Sequence, residues 1–120
     1  INLENGMVHL FTTTETTTST PNIRVSASTS LDSVMAVGDT VSVTIITTTA
    51  AAAYSAHITI DGSAVTEKWL NGTSPTTGGS SGNDVYSFQI IKTASATYTV
   101  YANNSGGGAS VYHNAIGIFV

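Results

Sequence analysis

The sequence predicts an all-β domain: an antiparallel β-sandwich or jelly-roll-like fold of about eight strands. Three observations carry this. Apolar and polar residues alternate over short runs, as in Val41, Val43 and Ile45 against Ser42 and Thr44, or Tyr86, Phe88 and Ile90 against Ser87 and Gln89. Turn dipeptides such as Asn5-Gly6 and Asp61-Gly62 punctuate these runs at the spacing found in sandwiches. No stretch reads as a helix of ordinary length.

The first strand candidate is Met7 to Thr12, with Val8 and Leu10 on one face and Met7, His9 and Phe11 on the other. Thr12 to Thr20 reads TTTETTTST. Its β-branched residues favour extended backbone, yet nothing in it is apolar enough to anchor it, so an exposed extended segment or edge strand is expected. Its hydroxyls are also the composition of O-glycosylated stretches. Pro21 opens the next run, where Ile23 and Val25 oppose Asn22, Arg24 and Ser26. Ser28 to Asp39 is loop-like and ends in the turn Val37-Gly38-Asp39, from which the strongest strand starts at Val41. Thr47 to Ala53, with four consecutive alanines, is a connection.

From Tyr54 the alternation puts Tyr54, Ala56, Ile58 and Ile60 on one face and Ser55, His57, Thr59 and Asp61 on the other. Asp61-Gly62 then folds Ile58–Ile60 against Ala64–Val65 as a hairpin. Asn71 to Asn83 is rich in Gly, Ser and Thr, contains Pro75, and forms a polar loop preceded by the chain's only tryptophan, Trp69. Tyr86, Phe88 and Ile90 begin the next strand face. Thr97 to Ala102 follows with Tyr98 and Val100 inward, and Asn103 to Ala109 is a flexible turn. Ser110 to Val120 closes as an apolar strand. It carries Tyr112, Ile116, Ile118 and Val120 on one face and Val111, His113, Ala115, Gly117 and Phe119 on the other. Both faces are apolar, so this strand is expected to be covered on two sides, within its own domain or in a neighbouring subunit's sheet; local pairing favours the former. Tyr112, Ile116, Ile118, Phe119 and Val120 are the candidate subunit-interface residues.

At 120 residues the chain is sized for a single domain, 1–120, with 12–20 as its Thr-rich segment and 110–120 as its terminal strand. Charged residues make up only 8%, against roughly 25% in ordinary soluble domains. A neutral, hydroxyl-rich surface suits a structural or extracellular protein that packs among copies of itself, and a homo-oligomer is expected. A net charge of −4, with Arg24, Lys68 and Lys92 as the strong cations, argues against nucleic-acid binding. There is no cysteine, which removes disulfides and thiolate metal sites. No apolar run of about 18 residues is present, so no helical membrane insertion is expected. The chain begins at Ile1 without a visible signal peptide and reads as a processed protein or a fragment of a longer one.

No nucleophile elbow, phosphate-binding loop or paired catalytic carboxylates can be written from these residues, so no enzyme and no cofactor is expected. His9, His57 and His113 sit on three different strands without metal-ligand spacing. Asp32, Asp39, Asp61 and Asp84 each stand beside a turn, where a carboxylate caps main-chain N–H groups. Asn71-Gly72-Thr73 and Asn103-Asn104-Ser105 match the N-glycosylation triplet. Trp69 has two readings: it seals one end of the core, or it stacks on a sugar ring with Asn71, Thr73 and Asn83 as polar contacts.

The run from Pro21 to Ala102, about two-thirds of the chain, resembles β-rich domains in virion structural proteins of tailed phages, notably those infecting marine cyanobacteria. Within it, Trp69-Leu70-Asn71-Gly72-Thr73-Ser74-Pro75-Thr76 is similar to the W-x-G-G-T-x-P-T element that lies between two strands in phage tail and fibre proteins, with Asn71 in place of its first glycine. The resemblance does not extend to Ser110–Val120. It implies a non-enzymatic fibre, tail or surface-decoration module acting in assembly or host attachment. The implied location is the virion or the extracellular space. The implied partners are copies of itself, other virion proteins and a host-surface glycan; a threefold assembly is the first expectation. Two other classes fit the same residues: a subunit of a cellular extracellular filament or pilus, and a carbohydrate-binding module.

Overall fold

Alternating β-branched and aromatic residues extend the chain through most of its length, and glycine, Asp and Ser turns break it. The computed structural model describes residues 1–104. They form β1 (Val8–Leu10), β2 (Asn22–Ile23), α1 (Leu31–Val34), β3 (Thr40–Thr48), β4 (Thr59–Ile60), β5 (Ser63–Ala64), β6 (Glu67–Trp69), β7 (Asn83–Ala94) and β8 (Thr97–Asn104). Short 3₁₀ turns occupy Leu3–Asn5 and Leu70–Gly72. The expected terminal strand, 110–120, and its interface residues lie outside the described residues. Among the described residues no helix is long and apolar enough to cross a membrane.

The strands make a five-stranded sheet, in the order β1-β3-β7-β8-β6, and a three-stranded sheet, β2-β4-β5. The expected all-antiparallel arrangement is corrected. β3, β7 and β8 are antiparallel neighbours, as are β4 and β5, but β1/β3, β2/β4 and β6/β8 pair in parallel, so both sheets are mixed. Side-chain alternation fixes which face a residue takes and is blind to the direction of the partner strand. Neither parallel pair of the large sheet is joined by a tight turn: the chain passes through β2 and α1 between β1 and β3, and through the 70–82 loop and the antiparallel strand β7 between β6 and β8.

The core follows the alternation closely. Val43 and Ile45 of β3, Tyr86, Phe88 and Ile90 of β7, and Val100 and Ala102 of β8 are buried on one face of the large sheet. They share one cluster with Ile23, Ile58 and Ile60 of the small-sheet side and with Leu3, Leu31, Met35 and Ala56. The Asp61-Gly62 hairpin forms as expected, Asp61 at φ 50 and Gly62 at φ 83, the left-handed pair a two-residue hairpin turn needs.

Three local expectations change. Tyr54–Ile58 has the predicted buried alternation at Ala56 and Ile58 but no ladder of its own; regular strand begins at Thr59. Ser28–Asp39 contains α1. Ser30 accepts from Ser33 N at 3.2 Å, and the Asp61 carboxylate reaches across to Leu31 N at 2.7 Å and Asp32 N at 3.0 Å. At the other end of α1, Lys92 Nζ donates to the carbonyls of Asp32 (2.9 Å) and Met35 (2.8 Å) and pairs with the Asp32 carboxylate at 2.8 Å. Apart from the local N-cap Ser30, the capping groups come from 30 and 60 residues away in sequence, so the local pattern announces only the start of this helix. β6 was likewise not expected; the polar Thr66-Glu67-Lys68 run hides a short edge strand.

The Thr-rich segment 12–20 forms no strand, yet it is fastened. Thr48 Oγ1 donates to Thr13 O, Glu15 N donates to Thr48 Oγ1, and Ser19 N donates to Tyr54 O. All four aspartates hydrogen-bond main-chain N–H groups as read: Asp32 with Ala96, Asp39 with Ala36, Asp61 with Leu31 and Asp32, and Asp84 with Gly79.

Candidate functional site

Two surfaces have the shape and chemistry of a contact site, one around the edge strand β6 and one on the outer face of the five-stranded sheet. The first is a cleft of ≈ 450 Å³ lined by His57, Thr66, Glu67, Lys68, Trp69, Gly72 and Ser74. The register of β6 on β8 places Glu67 opposite Val100 and Trp69 opposite Ala102, so both point toward the core. Trp69 is half-buried and meets Phe88 edge-on, ring centroids 6.1 Å apart at 76°. Its Nε1 is buried without a hydrogen-bond partner among the described residues. Glu67 is the residue the sequence reading passed over. Its side chain is 5% exposed, and it accepts from Ile58 N and pairs with His57 Nδ1, both at 2.9 Å. The signal that locates it is the Trp69 alternation itself, since Glu67 stands two residues earlier on the same face.

The loop after Trp69 is held by main-chain contacts at its far end. Gly79 N donates to both oxygens of the buried Asp84, at 3.1 and 2.9 Å, and Gly78 N donates to Ala51 O at 3.2 Å. A Cβ on Gly78 would overlap the carbonyl oxygens of Ala50 and Ala53, so this position admits only glycine. The predicted contact set is divided by this arrangement. Trp69 lines the cleft, Asn71 lies in the 3₁₀ turn, and Thr73 is exposed at the start of the loop. Asn83 is two strand spacings and five residues away from Trp69, roughly 20 Å, where its Nδ2 donates to Thr47 O at 3.1 Å.

The second surface is the outer face of the large sheet. Register rows set Lys68, Tyr101, Gln89 and Ser42 side by side, then Asn103, Ser87, Thr44 and Val8. A shallow groove of ≈ 450 Å³ runs over these rows, with Leu70 and Tyr101 at one end. Tyr101 is 46% exposed and Leu70 59%, and Lys68 Nζ stands 5.9 Å from the Tyr101 ring centroid. The groove lining offers hydroxyls, amides and apolar surface, and carries no carboxylate, imidazole or amine. Such a surface makes contacts through stacking and hydrogen bonds. Tyr101 also lay within reach of the sequence: if Tyr98, Val100 and Ala102 face inward, Tyr101 must face out.

Among the described residues no three His, Asp or Glu side chains gather to hold a metal. His9 contacts Gly6 O and His57 is engaged by Glu67; His113 lies outside the described residues. No protein-family model, curated protein or solved structure matches the chain.

Proposed function

We propose that the chain is a non-enzymatic structural module of a tailed-phage particle, a fibre, tail or surface-decoration domain, that acts in assembly or host attachment. The observation that carries the reading is the sparsely charged outer face of the large sheet, whose groove is lined by no charged side chain and has Lys68 only at its edge. It leaves Val8, Leu10, Leu70 and Tyr101 exposed on a chain of only 8% charged residues. A surface of that kind is stabilised by packing against further protein. The resemblance of Trp69–Thr76 to the phage tail and fibre element supplies the particle. The shared hydrophobic cluster of the two sheets supports a sandwich-like, jelly-roll-related layering as the finer form of the fold. The module works as a homo-oligomer in the virion or extracellular space, with a threefold assembly as the first form to look for. Sedimentation of the full-length chain should show self-association at micromolar concentration, and antibody labelling of intact particles in electron micrographs should mark the virion surface. A strictly monomeric chain absent from particles overturns the reading.

A second reading, recognition of a host-surface glycan, has its own support in the outer groove. An exposed Tyr101 ring flanked by the Gln89 and Asn103 amides and the Ser42 and Ser87 hydroxyls fits a neutral sugar. On a glycan array, Tyr101→Ala should then abolish a hit that Trp69→Phe retains. The reverse result would return the sugar to the Trp69 cleft.

A further inference from the structure

The large sheet ends in two edges that differ in chemistry. At one end, β6 carries Glu67 and Lys68, charges of the kind that discourage a further strand. At the other end, β1 carries none. Met7, Val8, Leu10 and Phe11 are 47, 62, 62 and 42% exposed there. Thr44 N donates to Met7 O at 2.8 Å, and Phe11 N donates to Ile46 O at 2.9 Å. The alternation of a parallel ladder therefore directs the N–H and C=O groups of Val8 and Leu10 away from β3, where no described residue meets them. An apolar edge with free ladder groups is a template for one more strand.

We propose that this edge takes the apolar segment 111–120 of the same chain as the next strand, antiparallel to β1. Three observations identify the occupant. The first is reach. Asn104, Tyr86, Ile45 and His9 are successive register partners, so the last described residue stands in one row with the middle of β1, three strand spacings away. A strand beyond β1 adds a fourth spacing, about 19 Å from Asn104. Residues 105–110 can bridge about 23–25 Å from Asn104 to Val111, and Gly106, Gly107 and Gly108 impose little steric restriction on the path. The second is direction. β8 and β3 are both antiparallel to β7, and β1 is parallel to β3, so β8 and β1 point the same way. A chain that leaves the end of β8 and turns back runs antiparallel to β1. The third is chemistry. VYHNAIGIFV carries no Asp, Glu, Lys or Arg and no proline, matching an edge that has no charge to pair.

Hydrogen exchange on the full-length chain tests this at the Val8 and Leu10 amides. They should exchange at least about 100-fold more slowly than in a chain ending at residue 110, to the same degree at every protein concentration. Fast exchange in the full chain overturns the proposal. So does protection that grows with concentration, which assigns the edge to a second copy, and so does protection that appears at β6 instead. If the shortened chain does not fold, cross-linking of the full chain decides. The protein has no cysteine, so Val8→Cys combined with single cysteines placed through 111–120 gives a clean readout. A disulfide closed within one chain supports the proposal, whereas a disulfide between chains, or none at any position, overturns it.

Discussion

Gly78 and Lys92 show how single side chains hold loops here. Gly78 lies so close to the carbonyls of Ala50 and Ala53 that a methyl group cannot be accommodated without moving main chain. Gly78→Ala is therefore expected to cost about 3 kcal/mol in urea unfolding, well above the roughly 1 kcal/mol of Gly38→Ala, whose strain comes from φ 94 alone in open space. Lys92 hydrogen-bonds the Asp32 and Met35 carbonyls from a nearly buried position. Lys92→Met leaves both acceptors without their donor and should lower stability by about 2–3 kcal/mol. The hydrogen bond from Lys92, aided by the Ala96 N–H, holds the Asp32 carboxyl below its ordinary 3.8. A depressed folded-state value contributes stability that is present above pH 3.8 and disappears as pH falls through the folded value. Asp32→Asn should flatten the acid limb of the stability curve below about pH 4. At the alkaline end, burial pushes both Tyr86 and Tyr98 up to about 12, with the neighbouring Asp84 adding to the effect on Tyr86 and Asp32 to that on Tyr98, while the Ser55 main chain pulls Tyr86 the other way. Their neutral forms stabilise the fold fully below pH 10, and that contribution is lost between pH 10 and about 12. Phenolate absorbance should show titration steps near pH 12 from these two tyrosines, and each Tyr→Phe change should remove one of them.

Among the elements, α1 depends most on its surroundings. Four residues cannot form a stable helix alone. Its first turn is capped by Asp61, which also occupies the φ 50 position of the β4–β5 hairpin. One residue thereby couples a turn, a hairpin and a helix. Asp61→Ala should cost about 2–3 kcal/mol, the sum of a lost cap and left-handed strain. Asp61→Asn, which tolerates the same φ and keeps an amide oxygen for one N–H, should recover more than half of that. Equilibrium unfolding of the two variants side by side checks this.

For the molecule as a whole, the outer sheet face sets how it meets others. Replacing Leu70 by Glu and Tyr101 by Ser adds charge and removes aromatic surface without touching the core cluster. Self-association should weaken by at least about tenfold, equivalent to about 1.4 kcal/mol, while the unfolding midpoint stays within a few degrees. An unchanged sedimentation profile would move the subunit contact elsewhere.

The all-β character, the buried face of β3, β7 and β8, the Asp61-Gly62 hairpin and the capping role of the aspartates were legible in the residues. Each depends on neighbours within a few positions: alternation selects a face, and a turn needs a particular φ. Strand direction was not legible, because Val8 alternates identically whether β3 runs with it or against it. α1 was hidden for a related reason, since part of what stabilises it comes from Asp61 and Lys92, distant in sequence. The candidate site divided along the same line. Trp69 announced itself by its rarity, but only the register of β6 against β8 turned it toward Phe88 and set it beside the buried Glu67. That same register left Tyr101 on the open face with Gln89 and Asn103. Local sequence determined which side chains alternate; long-range pairing decided which of them stand together, because a ladder joins residues whose separation in the chain no periodicity encodes.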